Sequence, residues 1–133
     1  MSMQPDPSAA VVTFVSQHDF DATIERLKAA LAAAGATVFA DIDQRDAALR
    51  AGLDLRRTRL ILFGNPKAGT PVMAQWPHAA LELPLRVVVW ERDDGRTAVD
   101  YRDVTRTLGA YGVAAERVAP LQAVPALLAK AVA

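Results

Sequence analysis

Two alternating runs, Leu85 to Arg92 (LRVVVWER) and Arg96 to Arg102 (RTAVDYR), are separated by the tripeptide Asp93-Asp94-Gly95. Asp-Gly between two period-two runs is a strong hairpin signal, because the left-handed glycine lets a short turn match the twist of the flanking strands. Two strands joined this tightly must be antiparallel neighbours. An all-parallel, doubly wound sheet is therefore excluded, and every other strand has to be fitted around a β-hairpin.

The remaining elements follow from their periodicity. Ala10 to Ser16 (AVVTFVS) is β-branched and aromatic and predicts a first strand. Asp19 offers a capping carboxylate to a helix in which Phe20, Ile24, Leu27 and Leu31 recur at helical spacing, and Gly35 closes that helix. Thr37 to Asp43 (TVFADID) alternates, with Val38, Ala40 and Ile42 expected on one face and Phe39, Asp41 and Asp43 on the other. Gln44 to Leu53 reads as a short helix. Leu60 to Phe63, stopped by Gly64, is too short and too apolar for anything but a strand buried on both faces. A short helical stretch through Val72, Met73 and Trp76 precedes the hairpin. After it, Asp103 caps a helix reaching Tyr111, and a last helix over Ala115 to Val132 is expected to kink or divide at Pro125.

Residues 10–133 thus predict a single α+β domain, a mixed or mostly antiparallel sheet with helices packed on one face, behind a disordered leader over residues 1–9. At 133 residues, one core suffices without metal or disulfide staples. Large apolar groups stand on both faces of the predicted sheet, and helices on one side cover only one set. The other must be hidden by a second subunit, by the short helices or by a ligand pocket, and a homodimer is the expected outcome.

Charge and composition remove whole classes of function. Fifteen basic residues balance fifteen acidic ones, so nucleic acid and anionic membranes, which need a concentrated basic face, are not expected partners. The chain has no cysteine, hence no thiolate nucleophile, cysteine-held cluster or thiolate zinc site. Met1 to Ala10 lacks a basic and apolar signal pattern, and the longest uncharged apolar stretch, Ala29 to Ala40, falls short of the roughly 18 residues that span a bilayer. A cytoplasmic location is expected.

The candidate site is the loop Gly64-Asn65-Pro66-Lys67-Ala68-Gly69-Thr70-Pro71. Its Gly-x4-Gly-Thr spacing approaches the phosphate-binding P-loop, but Thr70 stands where the lysine belongs, and Pro66 and Pro71 each delete an N–H that a phosphate cradle would use. Read structurally, Asn65-Pro66 and Thr70-Pro71 are each an N-cap followed by proline at the first helical position. This predicts Asn65 and Thr70 to be buried caps, with Gly64 and Gly69 allowing close turns. Read functionally, Asn65, Lys67, Gly69 and Thr70 form a ligand site for a small anionic or apolar molecule.

Elsewhere the signals are thinner. Asp41 and Asp43 stand on one strand face, about 6.5–7 Å apart at Cα, and are read as solvated carboxylates at a strand end; with only His18 and His78 available, no metal site is expected. Ser16 and His18 lack a nucleophile elbow. Trp76 and Trp90 read as core or interface residues. No catalytic set and no cofactor emerge. The expected function is a non-enzymatic small-ligand-binding or interaction domain acting as a homodimer, the alternative being an enzyme on a small anionic substrate at the Gly64 to Pro71 loop with Asp41 or His18 as base.

Four stretches, Thr37 to Asp43, Leu53 to Thr58, Thr58 to Met73 and Leu83 to Glu91, resemble the bacterial domain-of-unknown-function family 302. The string Phe-Gly-Asn-Pro-Lys-Ala-Gly-Thr-Pro at 63–71 is the most specific part, and the resemblance runs from about Phe14 to Gly112. The chain departs at the alanine-rich His78 to Glu82 and at Gln44, where relatives carry histidine. The resemblance implies a compact α+β fold with a curved, largely antiparallel sheet in the order β-α-β-β-β-β-α, frequent dimerisation and no settled activity.

Overall fold

A computed structural model describes residues 10–133; the leader expected over residues 1–9 lies outside the described residues. The hairpin forms as expected: β4 (Leu85–Glu91) and β5 (Thr97–Arg102) pair antiparallel, with Val89 opposite Val99. Gly95 takes φ 83°, and Arg92 N–H donates to the Arg96 carbonyl at 2.8 Å, closing the turn. To this pair are added β3 (Thr58–Gly64) beside β4, β2 (Thr37–Asp43) beside β3, and β1 (Val11–Val15) beside β5. The order is β1-β5-β4-β3-β2 with every pairing antiparallel. The first two strands, consecutive in sequence, therefore occupy opposite edges.

Helix α1 (Phe20–Ala33) starts where Asp19 accepts Ala22 N–H at 2.8 Å and buries Phe20, Ile24, Leu27 and Leu31. These meet Ile61 and Phe63 of β3, Val87 and Val89 of β4, and Val99 and Tyr101 of β5 in one core cluster, to which α6 (Val124–Val132) adds Leu128 and Val132. Burial drives this assembly: a leucine, valine or phenylalanine side chain taken out of water contributes about 1.5–3 kcal/mol. Among the described residues, the helix-borne core side chains all belong to this one cluster.

Two expectations need correction. In β2 the ladder pairs Val38 with Phe63 and Ala40 with Leu62, so Phe39 is an extra, bulged residue. A bulge reverses the side-chain alternation beyond it: Val38 shares the helix-covered face with Asp41 and Asp43, whereas Ala40 and Ile42 lie on the open face, and Phe39 is left 53% exposed. After α4 (Thr105–Ala110) the terminal helix divides at Pro125 as expected, into α5 (Ala115–Val118), a 3-10 turn (Ala119–Leu121) and α6, with Pro125 in the first turn of α6, where its missing N–H costs nothing.

The second correction concerns the loop. Only one helix starts there: α3 (Pro66–Gln75) is capped by Asn65, whose side chain accepts Lys67 N–H at 3.0 Å, and runs through Thr70 and Pro71. Thr70 is an exposed residue inside the helix, not a buried cap, and Asn65 is half-buried. Pro71 leaves the Lys67 carbonyl without its i+4 donor, a loss the helix absorbs near its start. Gly69 is a mid-helix residue, not a turn. Asn65→Ala is accordingly expected to cost about 1 kcal/mol and Thr70→Ala less than about 0.5 kcal/mol, read from urea midpoints.

Candidate functional site

The end of β3, the start of α3 and the segment entering β4 meet around a cavity of about 130 Å³. Its walls are Phe39, Met73, Leu83, Pro84, Leu85 and Leu121, with Gly64, Asn65, Pro66 and Gly69 completing the rim. The β2 bulge is what turns Phe39 towards this space: a Cβ placed on Gly64 would sit 3.5 Å from Phe39 Cε2. The Leu83-Pro84 peptide bond is cis.

Of the four residues singled out from sequence, Asn65 and Gly69 line the cavity, while Lys67 and Thr70 are exposed and outside its lining. The structure thus brings two of the four together in one cavity and leaves the other two outside it. Phe39, Met73, Leu83 and Leu121 escaped sequence reasoning, since each is an unremarkable apolar residue of a different element. The one available signal was Gly69: it stands in the middle of a helix without a positive φ, where glycine costs roughly 0.5–1 kcal/mol relative to alanine. A Cβ there would meet only Met73 Cε at 3.8 Å and Leu83 Cδ1 at 3.9 Å, ordinary contact distances. Alanine would fit, so neither backbone nor crowding demands glycine.

The other candidates are engaged structurally. Asp41 is not a solvated carboxylate. It receives Arg59 Nε at 2.7 Å on Oδ1, and Arg59 also reaches Oδ2, where Lys28 Nζ lies at 2.6 Å. Chiefly because of the Arg59 hydrogen bonds, and against the opposing effect of burial, its carboxyl is lowered to about 2, and the same contact raises the Arg59 guanidinium further. Asp43 instead caps α2 (Gln44–Arg50), accepting Asp46 N–H at 2.9 Å. Neither is placed as a metal ligand or base, and among the described residues no group of three or more histidine or carboxylate side chains could hold a metal ion.

Ser16 accepts Thr23 Oγ1–H at 2.7 Å and His18 N–H at 3.1 Å, while His18 Nε2 contacts the Ala133 carbonyl at 2.8 Å, so serine and imidazole do not form a dyad. His78 is exposed. Trp90 donates Nε1–H to Asp100 Oδ2 at 2.8 Å on the open sheet face.

Fold and site together define a small α+β domain with an antiparallel five-stranded sheet, one helix-covered face and a loop-rimmed apolar cavity. The chain belongs to the family described as Domain of unknown function DUF302, whose model matches residues 12–133. The fold is that of an uncharacterized conserved DUF302 protein from Bacillus stearothermophilus, with a TM-score of 0.78 at 20% identity over 92% of this chain and 95% of that one. A 95-residue stretch, 71% of the chain, is 38% identical to proteins named fluoride-specific ion channel FluC 1 in Brucella suis biovar 1 (strain 1330) and Brucella abortus biovar 1 (strain 9-941). The match spans little more than a third of those relatives, 37% and 35% of their lengths. No helix among the described residues is long and apolar enough to cross a membrane.

Proposed function

We propose that this is a non-enzymatic ligand-binding domain whose cavity beside α3 takes a small apolar molecule of about one ring. The observation that carries this reading is Gly69, a helix-weakening residue that faces an apolar cavity at a position where alanine would fit. The volume sets the ligand size: the pocket, open to solvent on one side, measures about 130 Å³, close to the roughly 150 Å³ of an enclosed apolar cavity that accepts benzene.

Benzene and phenol in a thermal-shift titration test the reading. At ten times its dissociation constant, a probe that binds only the folded state stabilises by about 1.4 kcal/mol. Gly69→Leu, which fills the cavity from the helix, is expected to abolish that shift while leaving the melting temperature of the unliganded protein no lower. Absence of any shift with apolar probes, or a shift that survives Gly69→Leu, overturns it.

A second reading is supported by the fluoride-channel relatives: an accessory module beside anion transport, responding to a small anion. The partial coverage of those proteins and the lack of a spanning helix among the described residues favour a place beside the conducting part, not within it. Fluoride raising the melting temperature in both wild type and Gly69→Leu is its expected signature. An enzyme acting on a small anion at Asn65, Lys67 and Thr70 has less support, because the Asn65 oxygen is occupied by Lys67 N–H and Thr70 lies outside the cavity lining.

A further inference from the structure

Among the described residues lining the cavity beside α3, Asn65 alone has a side chain that carries an N–H or O–H; the others are apolar side chains, glycine and proline. Which way its amide points is fixed by its role as a helix cap. The Lys67 backbone N–H lies 3.0 Å away and can only donate, so the atom it meets is the oxygen Oδ1, and the amino group Nδ2 is turned to the other side. Gly35 stands there, and a Cβ on it would lie 3.9 Å from Nδ2.

The other donors near this rim are already engaged or absent. Pro66 and Pro84 have no N–H, the Ala68 and Gly69 N–H groups both donate to the Asn65 carbonyl at 2.9 Å, and Leu83 N–H donates to the Ala80 carbonyl at 3.3 Å. Nδ2 meets no acceptor among the described residues. It is not sealed away either, since the buried side-chain atoms left without a partner are Asp100 Oδ1 and Tyr101 Oη. Solvent can therefore serve Nδ2 while the cavity is empty of ligand, and a molecule seated against it has to replace that solvent.

We infer that the ligand of this cavity is a ring bearing one hydrogen-bond acceptor of the carbonyl type, which accepts from Asn65 Nδ2 at the rim, and that Asn65 sets this specificity. The inference rests on the cavity reading and narrows it. A plain hydrocarbon covering the rim strips solvent from Nδ2 and returns nothing, and an amide donor left unpaired costs more than a formed hydrogen bond contributes. A carbonyl oxygen restores the lost bond. A ligand offering only N–H groups sets donor against donor, because the Asn65 oxygen is already taken by Lys67. In a pocket of apolar walls a single placed polar group fixes the orientation of the ligand. Here it directs the ring towards Phe39, Met73 and Leu121 and the acceptor towards the start of α3. Discrimination of this kind comes from the site's own donor, which goes unpaired when the wrong molecule binds.

Acetophenone and α-methylstyrene share one shape and differ only by an oxygen in place of a methylene, so titrating each against the full chain isolates the acceptor. Acetophenone is expected to bind about two- to tenfold tighter, the range that one neutral hydrogen bond supplies. Asn65→Asp keeps the cap, because an aspartate oxygen accepts the Lys67 N–H as asparagine does, but removes the amide donor. Its melting temperature is expected to be no lower than that of wild type, and its preference for acetophenone is expected to vanish or reverse as the carboxylate repels the carbonyl oxygen. Equal affinities for the two probes in wild type, or binding of benzene without acetophenone, overturn the inference and leave the cavity reading standing. A preference that survives Asn65→Asp overturns it too. If benzene and both probes all fail to bind, the cavity reading falls and this inference falls with it.

Discussion

Phe63→Ala is expected to lower the stability of the domain by about 3–5 kcal/mol, the range for truncating a fully buried phenylalanine. Phe63 is 1% exposed and lies on a central strand, paired with Val38 on one side and Leu85 on the other. Its ring centroid is 6.3 Å from that of Tyr101, two strands away on the same face. Truncation opens a void walled by the backbone of three hydrogen-bonded strands, which cannot collapse into it. Domains of this size have about 5–15 kcal/mol in total, so a third or more of the stability is at stake. Urea denaturation with an unchanged m-value would report the loss as a shift in midpoint. Phe39→Ala supplies the contrast: the same deletion at a bulged residue 53% exposed is expected to cost under about 1 kcal/mol.

Asp41→Asn is expected to cost about 2 kcal/mol at pH 7, and to cost progressively less as the solution is acidified. Arg59 and Lys28 hold the Asp41 carboxyl at about 2, against 3.8 for an unperturbed aspartate, and its side chain is only 16% exposed. A group whose folded value is depressed contributes its full stability above the unfolded value, and each unit of depression is worth 1.36 kcal/mol. The contribution is lost as pH falls from about 3.8 through about 2. Wild type and variant should therefore converge in melting temperature towards pH 2, and a constant gap across that window would show that Asp41 acts through packing alone. The variant also leaves two cations beside each other at the sheet edge, which removal of a single partner makes costly.

What local chemistry alone determined is visible in the hairpin, in α1 and in the start of α3. Asp93-Asp94-Gly95 required antiparallel β4 and β5, the Phe20, Ile24, Leu27, Leu31 spacing required a helix buried on one face, and Asn65-Pro66 placed a capped helix start. Each rests on residues a few positions apart, whose preferences act before any long-range contact forms. Together with the resemblance at 63–71, they made the fold class, the family and part of the candidate site legible in advance. Tertiary structure decided the rest. Nothing in Ala10 to Ser16 tells β1 to join β5, because strand partners are selected by the whole sheet. The Phe39 bulge is invisible in an unbroken alternation, and it arises only where β2 must keep register with β3. The Thr70-Pro71 step did not restart a helix, since the turn begun at Asn65-Pro66 was already propagating and losing one bond costs less than nucleating again. Asp41 met Arg59 and Lys28, and Phe39, Met73, Leu83 and Leu121 came to share one cavity, because packing joins residues from separate elements at distances no local pattern encodes.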